Sequence, residues 1–255
     1  MFRGQLGGVE ISGTDFIGTE LNSTVDSGEQ VTLRIEGVAR LAAPNEDVWV
    51  YQVGYQIDGE RGGICPAGVS AIPLAGRWDY RSGVSGGGAK ISDPDVFTFA
   101  CRGIGAIAKC VELGYKPWRT VGGRSLADHH QACTRMIRND LCGNGQSYTI
   151  DGRRIDLFDG IGVQSESSGG VNVGVTGGVS LGLNLSDPYV LEAEWTPSGG
   201  RCMSVQLQNR MLATGNLPTC LLRMTNLLCG DRGHFSTGTH LMNKVPLSQL
   251  YIALP

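Results

Sequence analysis

Charge is scarce in this 255-residue chain: Asp, Glu, Lys and Arg make up 18% of it, below the usual ~25%. Neither sign dominates. Lys+Arg number 21 and Asp+Glu 24, a formal net charge of −3. A dedicated nucleic-acid binder shows a basic excess, so that class is excluded. No stretch is apolar enough for a membrane helix. The uncharged run at residues 167–186 holds seven apolar residues, six glycines and seven polar ones. The opening residues MFRGQLGGVE lack the apolar h-region of a signal peptide. Either a leader lies outside this sequence, or the reading of its cysteines as disulfides fails. No CxxC pair occurs, which leaves zinc ribbons and thioredoxin-like motifs without support. Gly86-Gly87-Gly88 with Lys90 lacks the Gly-Lys-Ser/Thr ending of a P-loop.

Hydrophobic residues make up 41% of the chain, enough for a core and too many for a disordered chain. The length fits one large domain or two small ones. Glycine is abundant, at 39 residues, roughly twice the norm. Eight cysteines are present: Cys65, Cys101, Cys110, Cys133, Cys142, Cys202, Cys220 and Cys229. That many free thiols would be an oxidation hazard. They predict disulfides formed in an oxidising compartment, hence an extracellular or cell-surface location. The connectivity stays open, because an even set of this size allows many pairings.

The N-terminus repeats. Met1, Leu6, Ile11, Phe16 and Leu21 stand five apart, followed two places later by Gly8, Gly13, Gly18 and Ser23. Read as pentads, the stretch is VEISG, TDFIG, TELNS. It resembles the pentapeptide-repeat family, which implies one coil of a square β-solenoid over residues 1–27. One coil cannot bury its own apolar stack. It needs the following domain, further repeats or another chain. The alternative is a Gly-rich pair of edge strands.

Beyond it, alternation predicts strands at residues 31–35, 47–57 and 97–100. Ile104, Ile107, Ala108 and Val111 share a helical face, with Gly114 as a C-cap. Ser125 with Asp128 three places on predicts a helix from 126 to about 140. A third helix is predicted over residues 220–228, between Pro218 and Gly230. Strands preceding local helices point to a mainly β or α+β fold with an antiparallel sheet, not a doubly wound one.

Between residues 161 and 195 the apolar residues fall almost entirely on odd numbers, while Glu166, Glu192 and Glu194 fall on even ones. This period of two predicts a long β-hairpin. A three-residue turn at Thr176-Gly177-Gly178 would set Val175 opposite Val179, Val173 opposite Leu181 and Val171 opposite Leu183, giving one apolar face. Such a ribbon lies on its own core, packs on a neighbouring subunit, or inserts in a membrane.

The best catalytic candidate is Asp128-His129-His130-Gln131-Ala132-Cys133. On a helix His129 and Cys133 share a face, so the imidazole could activate the thiol, with Asp140 orienting the ring. The simpler reading is a disulfide at Cys133. A metal site from His129, Cys133 and Cys142 lacks an evident fourth ligand, unless His130, His234 or His240 folds in. Asp151, Asp156 and Asp159 could bind calcium, but match no EF-hand spacing and read as a solvated turn. No metal and no cofactor are expected.

The segments FACRGIGAIAKCVELGYKPW (99–118) and HHQACTRMIRNDLCGNGQSYTIDG (129–152) resemble the bacterial ADYC-domain family. The name motif, Ala-Asp-Tyr-Cys, corresponds to Asn139-Asp140-Leu141-Cys142, keeping the aspartate and the cysteine. The likeness covers about residues 30–230. It implies an exported protein, often behind pentad repeats, and carries no activity over. The expectation is a coil at 1–27 and a disulfide-stabilised domain at 28–255. This would be an exported structural or adhesive protein that binds itself as an oligomer or filament. Its contacts would be Leu6, Ile11 and Phe16 in the coil, and Val171, Val173, Val175, Val179, Leu181 and Leu183 in the hairpin. The rivals are a Cys/His hydrolase or transferase, a carbohydrate or peptide binder using Trp49, Tyr51, Trp78 or Trp118, and a pore former.

Overall fold

The computed structural model describes residues 3–6, 8–24, 29–150, 152–167, 171–173, 179–181, 188–213, 215, 218, 220, 228, 229, 235 and 237–249. The fold is mostly antiparallel sheet with three helices, as expected. The chain divides into two units that interleave in sequence. One comprises Met1–Arg77 and Ser92–Ala108, the other Trp78–Ile91 and Lys109–Pro255.

The first unit holds β1 (Arg3–Leu6), β2 (Val9–Ser12), β3 (Glu20–Thr24), β4 (Gln30–Arg40), β5 (Trp49–Ile57), β6 (Glu60–Gly63), β7 (Ala71–Ala75) and β10 (Phe97–Cys101). Its sheet runs β10-β7-β5-β4-β3, with β6 also on β5. Phe16, Ile35, Tyr51 and Val53 form the core, and Ile11, Leu21, Leu33, Val38 and Trp49 pack against it. A bulge in β4 explains why the apolar alternation breaks after Ile35. Ile35 sits opposite Val53, the register shifts at Gly37, and Val38 then sits opposite Tyr51. One extra residue moves the apolar phase from odd to even numbers and keeps both side chains on the core face.

The pentads do not wind into a solenoid coil. β1 and β2 pair antiparallel, with Arg3 opposite Ser12 and Leu6 opposite Val9. A single 3-10 turn follows at Gly13–Phe16, and β3 then joins the sheet on β4. The alternative, a Gly-rich strand pair, is what forms. Gly13 makes the turn, with φ +54°. A Cβ there would lie 2.9 Å from the Trp49 ring, so only glycine fits. Phe16 is buried and Ile11 packs beside it. Phe16 is thus a core residue of this unit, and the partly buried Ile11 rests against that core. The side chain of Leu6 lies outside the described residues. β3 and β4, on either side of residue 27, pair in one sheet.

The second unit holds β8 (Arg77–Trp78) and β9 (Lys90–Ile91), which pair, and β11 (Thr120–Val121) with β12 (Arg124–Ser125). Its main sheet is built from β13 (Arg154–Asp159), β14 (Val171–Val173), β15 (Val179–Leu181), β16 (Tyr189–Thr196), β17 (Gly199–Met203) and β18 (Leu241–Pro246), in the order β15-β14-β13-β18-β16-β17. α1 (Ala106–Glu112) spans the sequence boundary between the units. α2 (Ala127–Ile137) packs on β16, β17 and β18, and α3 (Val205–Ala213) on β16.

α2 ends where a left-handed residue stops it. Asn139 has φ +50°, and its N–H donates to the Met136 carbonyl, while the Asp140 N–H donates to that of Arg135. This is a Schellman ending with asparagine in the glycine position. The helix expected over 220–228 lies almost wholly outside the described residues; the third described helix is α3, which periodicity had not marked. Ser204 caps it, its Oγ accepting from the Leu207 N–H at 3.1 Å.

The long hairpin is also corrected. β14 and β15 do pair, but with Val173 opposite Val179 and Val171 opposite Leu181. The pairing is two residues from the expected one. An even shift keeps odd residues opposite odd, so the alternation is preserved. Val175 and Leu183 lie outside the described residues. Residues 189–196 do not return along this hairpin. They form β16, which pairs with β18 and β17, while β14 pairs with β13.

Candidate functional site

All eight cysteines are bonded: Cys65–Cys101, Cys110–Cys133, Cys142–Cys220 and Cys202–Cys229. No thiol remains free. The Cys/His nucleophile is thereby overturned, because Cys133 has no thiolate to offer, and the same bonds remove Cys133 and Cys142 as metal ligands. The sulfurs of Cys202 and Cys229 lie within 4.8 Å of a Glu194 carboxylate oxygen, yet they are bonded to each other. Four disulfides are compatible with a non-cytoplasmic location. Among the described residues no helix is long and apolar enough to cross a membrane.

Asp140 does not orient His129. Its buried carboxylate pairs with the buried Arg135. It also accepts from the backbone N–H of Asn144 at 3.1 Å and Gly145 at 2.9 Å. Arg135 completes its fan on the carbonyls of Gly87 at 2.6 Å and Pro197 at 3.1 Å. Three backbone segments thus converge on one ion pair. The loop is tight: at Gly143, φ +60°, a Cβ would lie 1.8 Å from the Ser198 carbonyl. The aspartate and cysteine of the Asn-Asp-Leu-Cys stretch are therefore a loop organiser and a covalent tie.

Asp156 and Asp159 are not arranged for calcium. The Asp159 Oδ1 accepts from the N–H groups of Ile161, Gly162 and Val163, while Oδ2 accepts from that of Gln164 and from the Tyr115 hydroxyl at 2.8 Å. Asp156 accepts from the Ser167 N–H and hydroxyl. Neutral N–H and O–H donors already engage both carboxylates. Burial pushes the Asp156 carboxyl above its ordinary value and, with Asp159 beside it, holds the Tyr115 hydroxyl well above 10. Asp151 lies outside the described residues.

Three neighbours of this centre were not singled out together by the sequence. His129 stacks on Tyr115 with ring centroids 6.3 Å apart, and His240 meets His129 at 4.9 Å. Spacing had grouped His129 with Cys133. The structure groups it instead with residues 14 positions before and 111 after, which no local pattern reveals. Burial, and next His240, hold the His129 imidazole below its ordinary 6.5; Asp159 and Asp128 pull upward, and Arg124 lowers it further. The unfolded chain takes up this proton near pH 6.5 and the folded chain only at lower pH. The group's contribution to stability therefore falls as pH drops below about 6.5. In thermal scans at pH 7.5 and 5.5, His129→Gln is expected to show a smaller acid-induced drop in Tm than the wild type. Equal drops would exclude His129 as the source.

The expected binding aromatics do not form an exposed platform. Tyr51 and Trp78 are buried. Trp49 carries Arg40 over its ring at 4.4 Å, and Trp118, at 46% exposure, is the open one of the four. Glu192 and Glu194, expected on a solvent face, are buried. β16 is an inner strand, covered on both faces. Glu192 accepts from Arg153 at 2.9 Å, Arg210 at 3.0 Å and the Asn243 amide at 2.6 Å.

A family model for the ADYC domain matches residues 13–209. The chain belongs to the ADYC domain family. The match opens within the pentads, consistent with Phe16 and β3 being parts of the ADYC fold rather than of a separate repeat. No curated protein and no solved structure matches this chain. In this ADYC domain the aspartate and cysteine of the name motif hold loops together, and among the described residues β15 and β17 are the two edges of the main sheet.

Proposed function

We propose that this ADYC domain is an exported structural module that associates with a second copy of itself along β15. The observation that carries this reading is the contrast between the two edges of the β15-β14-β13-β18-β16-β17 sheet. The β17 edge is guarded: it contains Arg201, is tied by Cys202–Cys229, and is bridged at Met203 by Leu228. Among the described residues β15 ends the sheet, inside the uncharged run 167–186. It has neither the charge nor the proline with which edge strands block pairing. An antiparallel pairing of two β15 strands about Ser180 is isologous and closes as a dimer. The four disulfides support export, and the bonded Cys133 weighs against the thiol enzyme.

Sedimentation velocity across a concentration series tests this. The wild type is expected to shift from its 27.1 kDa monomer toward twice that mass. Ser180→Lys places a charge on the edge and is expected to keep the protein monomeric with unchanged circular dichroism. A wild type that stays monomeric throughout would sink the reading, as would a Ser180→Lys variant that dimerises equally well.

A further inference from the structure

We propose that His129 and His240 together bind one divalent transition-metal ion of the imidazole-preferring class, Cu2+, Ni2+ or Zn2+. His129 comes from α2 and His240 from the turn that leads into β18. The rings approach to 4.9 Å between centroids, at an interplanar angle of 69°. His129 is only 6% exposed. Its Nδ1 is sealed from solvent and has no hydrogen-bond partner among the described residues. A buried polar atom left unpaired costs roughly 1–3 kcal/mol and is uncommon in folded proteins. A ligand on this ring would supply what the protein does not.

His240 is prepared in a complementary way. Its Nδ1 lies 3.1 Å from the Gly238 carbonyl, so Nδ1 carries the proton and donates. Nε2 is then left with its lone pair. An imidazole whose second nitrogen is held by a backbone carbonyl is the usual outer arrangement around a metal-binding histidine. The spacing also fits. Two imidazoles each about 2.0–2.1 Å from one tetrahedral ion keep their centroids about 5 Å apart. A metal takes the unprotonated imidazole. Asp159, beneath Tyr115, supplies negative potential but no ligand atom, since backbone N–H groups and the Tyr115 hydroxyl occupy its oxygens. Water reaching the ion from the side of the half-buried His240 would complete the coordination. With two nitrogen ligands the affinity should rank Cu2+ above Ni2+ and Zn2+.

The test is isothermal titration of tag-free, fully oxidised protein at pH 7.5 with CuCl2 and with ZnCl2. It is paired with NMR of the histidine ring resonances under substoichiometric Cu2+. One ion per chain is expected, with the His129 and His240 rings broadened first. His240→Gln is expected to weaken binding at least about tenfold without altering circular dichroism, and His129→Gln likewise. His129 is buried, so if that variant misfolds, His240→Gln alone decides. Absence of a one-ion step in the wild type would overturn the proposal. So would undiminished binding in His240→Gln, or broadening that spares both rings.

Discussion

Asp140→Ala is expected to cost about 3–5 kcal/mol of unfolding free energy, the range for removing one partner of a buried ion pair. The Arg135 guanidinium would stay buried without its carboxylate, and the N–H groups of Asn144 and Gly145 would lose their acceptor. Neither can turn to water without opening the turn that Gly143 closes against Ser198. Asp140→Asn should cost less, because the amide oxygen still accepts from the loop while the charge is gone. Urea unfolding of the three proteins reads the difference directly. A loss below about 1 kcal/mol for Asp140→Ala, the level of an exposed pair, would show that the ion pair does not organise the loop.

Glu192→Ala is expected to fall in the same range, about 3–5 kcal/mol. One carboxylate serves Arg153, Arg210 and the Asn243 amide, and Asn243 in turn accepts from the Trp195 indole at 2.7 Å. Removing it takes the shared counter-charge from two guanidiniums and loosens a hydrogen-bonded line through the centre of the sheet. Glu166 makes the control. It pairs with Lys244 but is 53% exposed, so Glu166→Ala should cost no more than about 1 kcal/mol. Similar losses in the two variants would place Glu192 in a solvated setting and contradict the buried network.

What the sequence made legible follows from where each signal resides. β4, β5 and β10, α1 and α2 carry their own periodicity and were located within a few residues. The even number of cysteines foretold full pairing, though spacing said nothing of partners. The pentads misled because a five-residue period places apolar residues on a solenoid and on a bent hairpin alike; only the antiparallel partner of β3 decides. β16 misled for another reason. Its even-numbered glutamates alternate with apolar residues as a wet face would, but both faces of β16 are buried at Glu192–Trp195, and the partners Arg153, Arg210 and Thr239 are distant in sequence. α3 has a local signature of its own in Ser204 followed by Leu207 and Met211, a cap and an i, i+4 pair. The His129–His240 contact had no local signature at all.

The order of the disulfides along the chain has a consequence for biogenesis. The first two join cysteines that are neighbours in sequence, Cys65 with Cys101 and Cys110 with Cys133. Each can close correctly as the chain emerges, in the order the thiols appear. The last two are interlaced: Cys202 lies between Cys142 and Cys220, and Cys220 between Cys202 and Cys229. Oxidation in order of emergence would join Cys142 to Cys202 and Cys220 to Cys229, and both links would be wrong. The N-terminal half can thus be sealed during synthesis. The C-terminal half needs its sheet assembled before oxidation, or a catalyst that reshuffles bonds afterward.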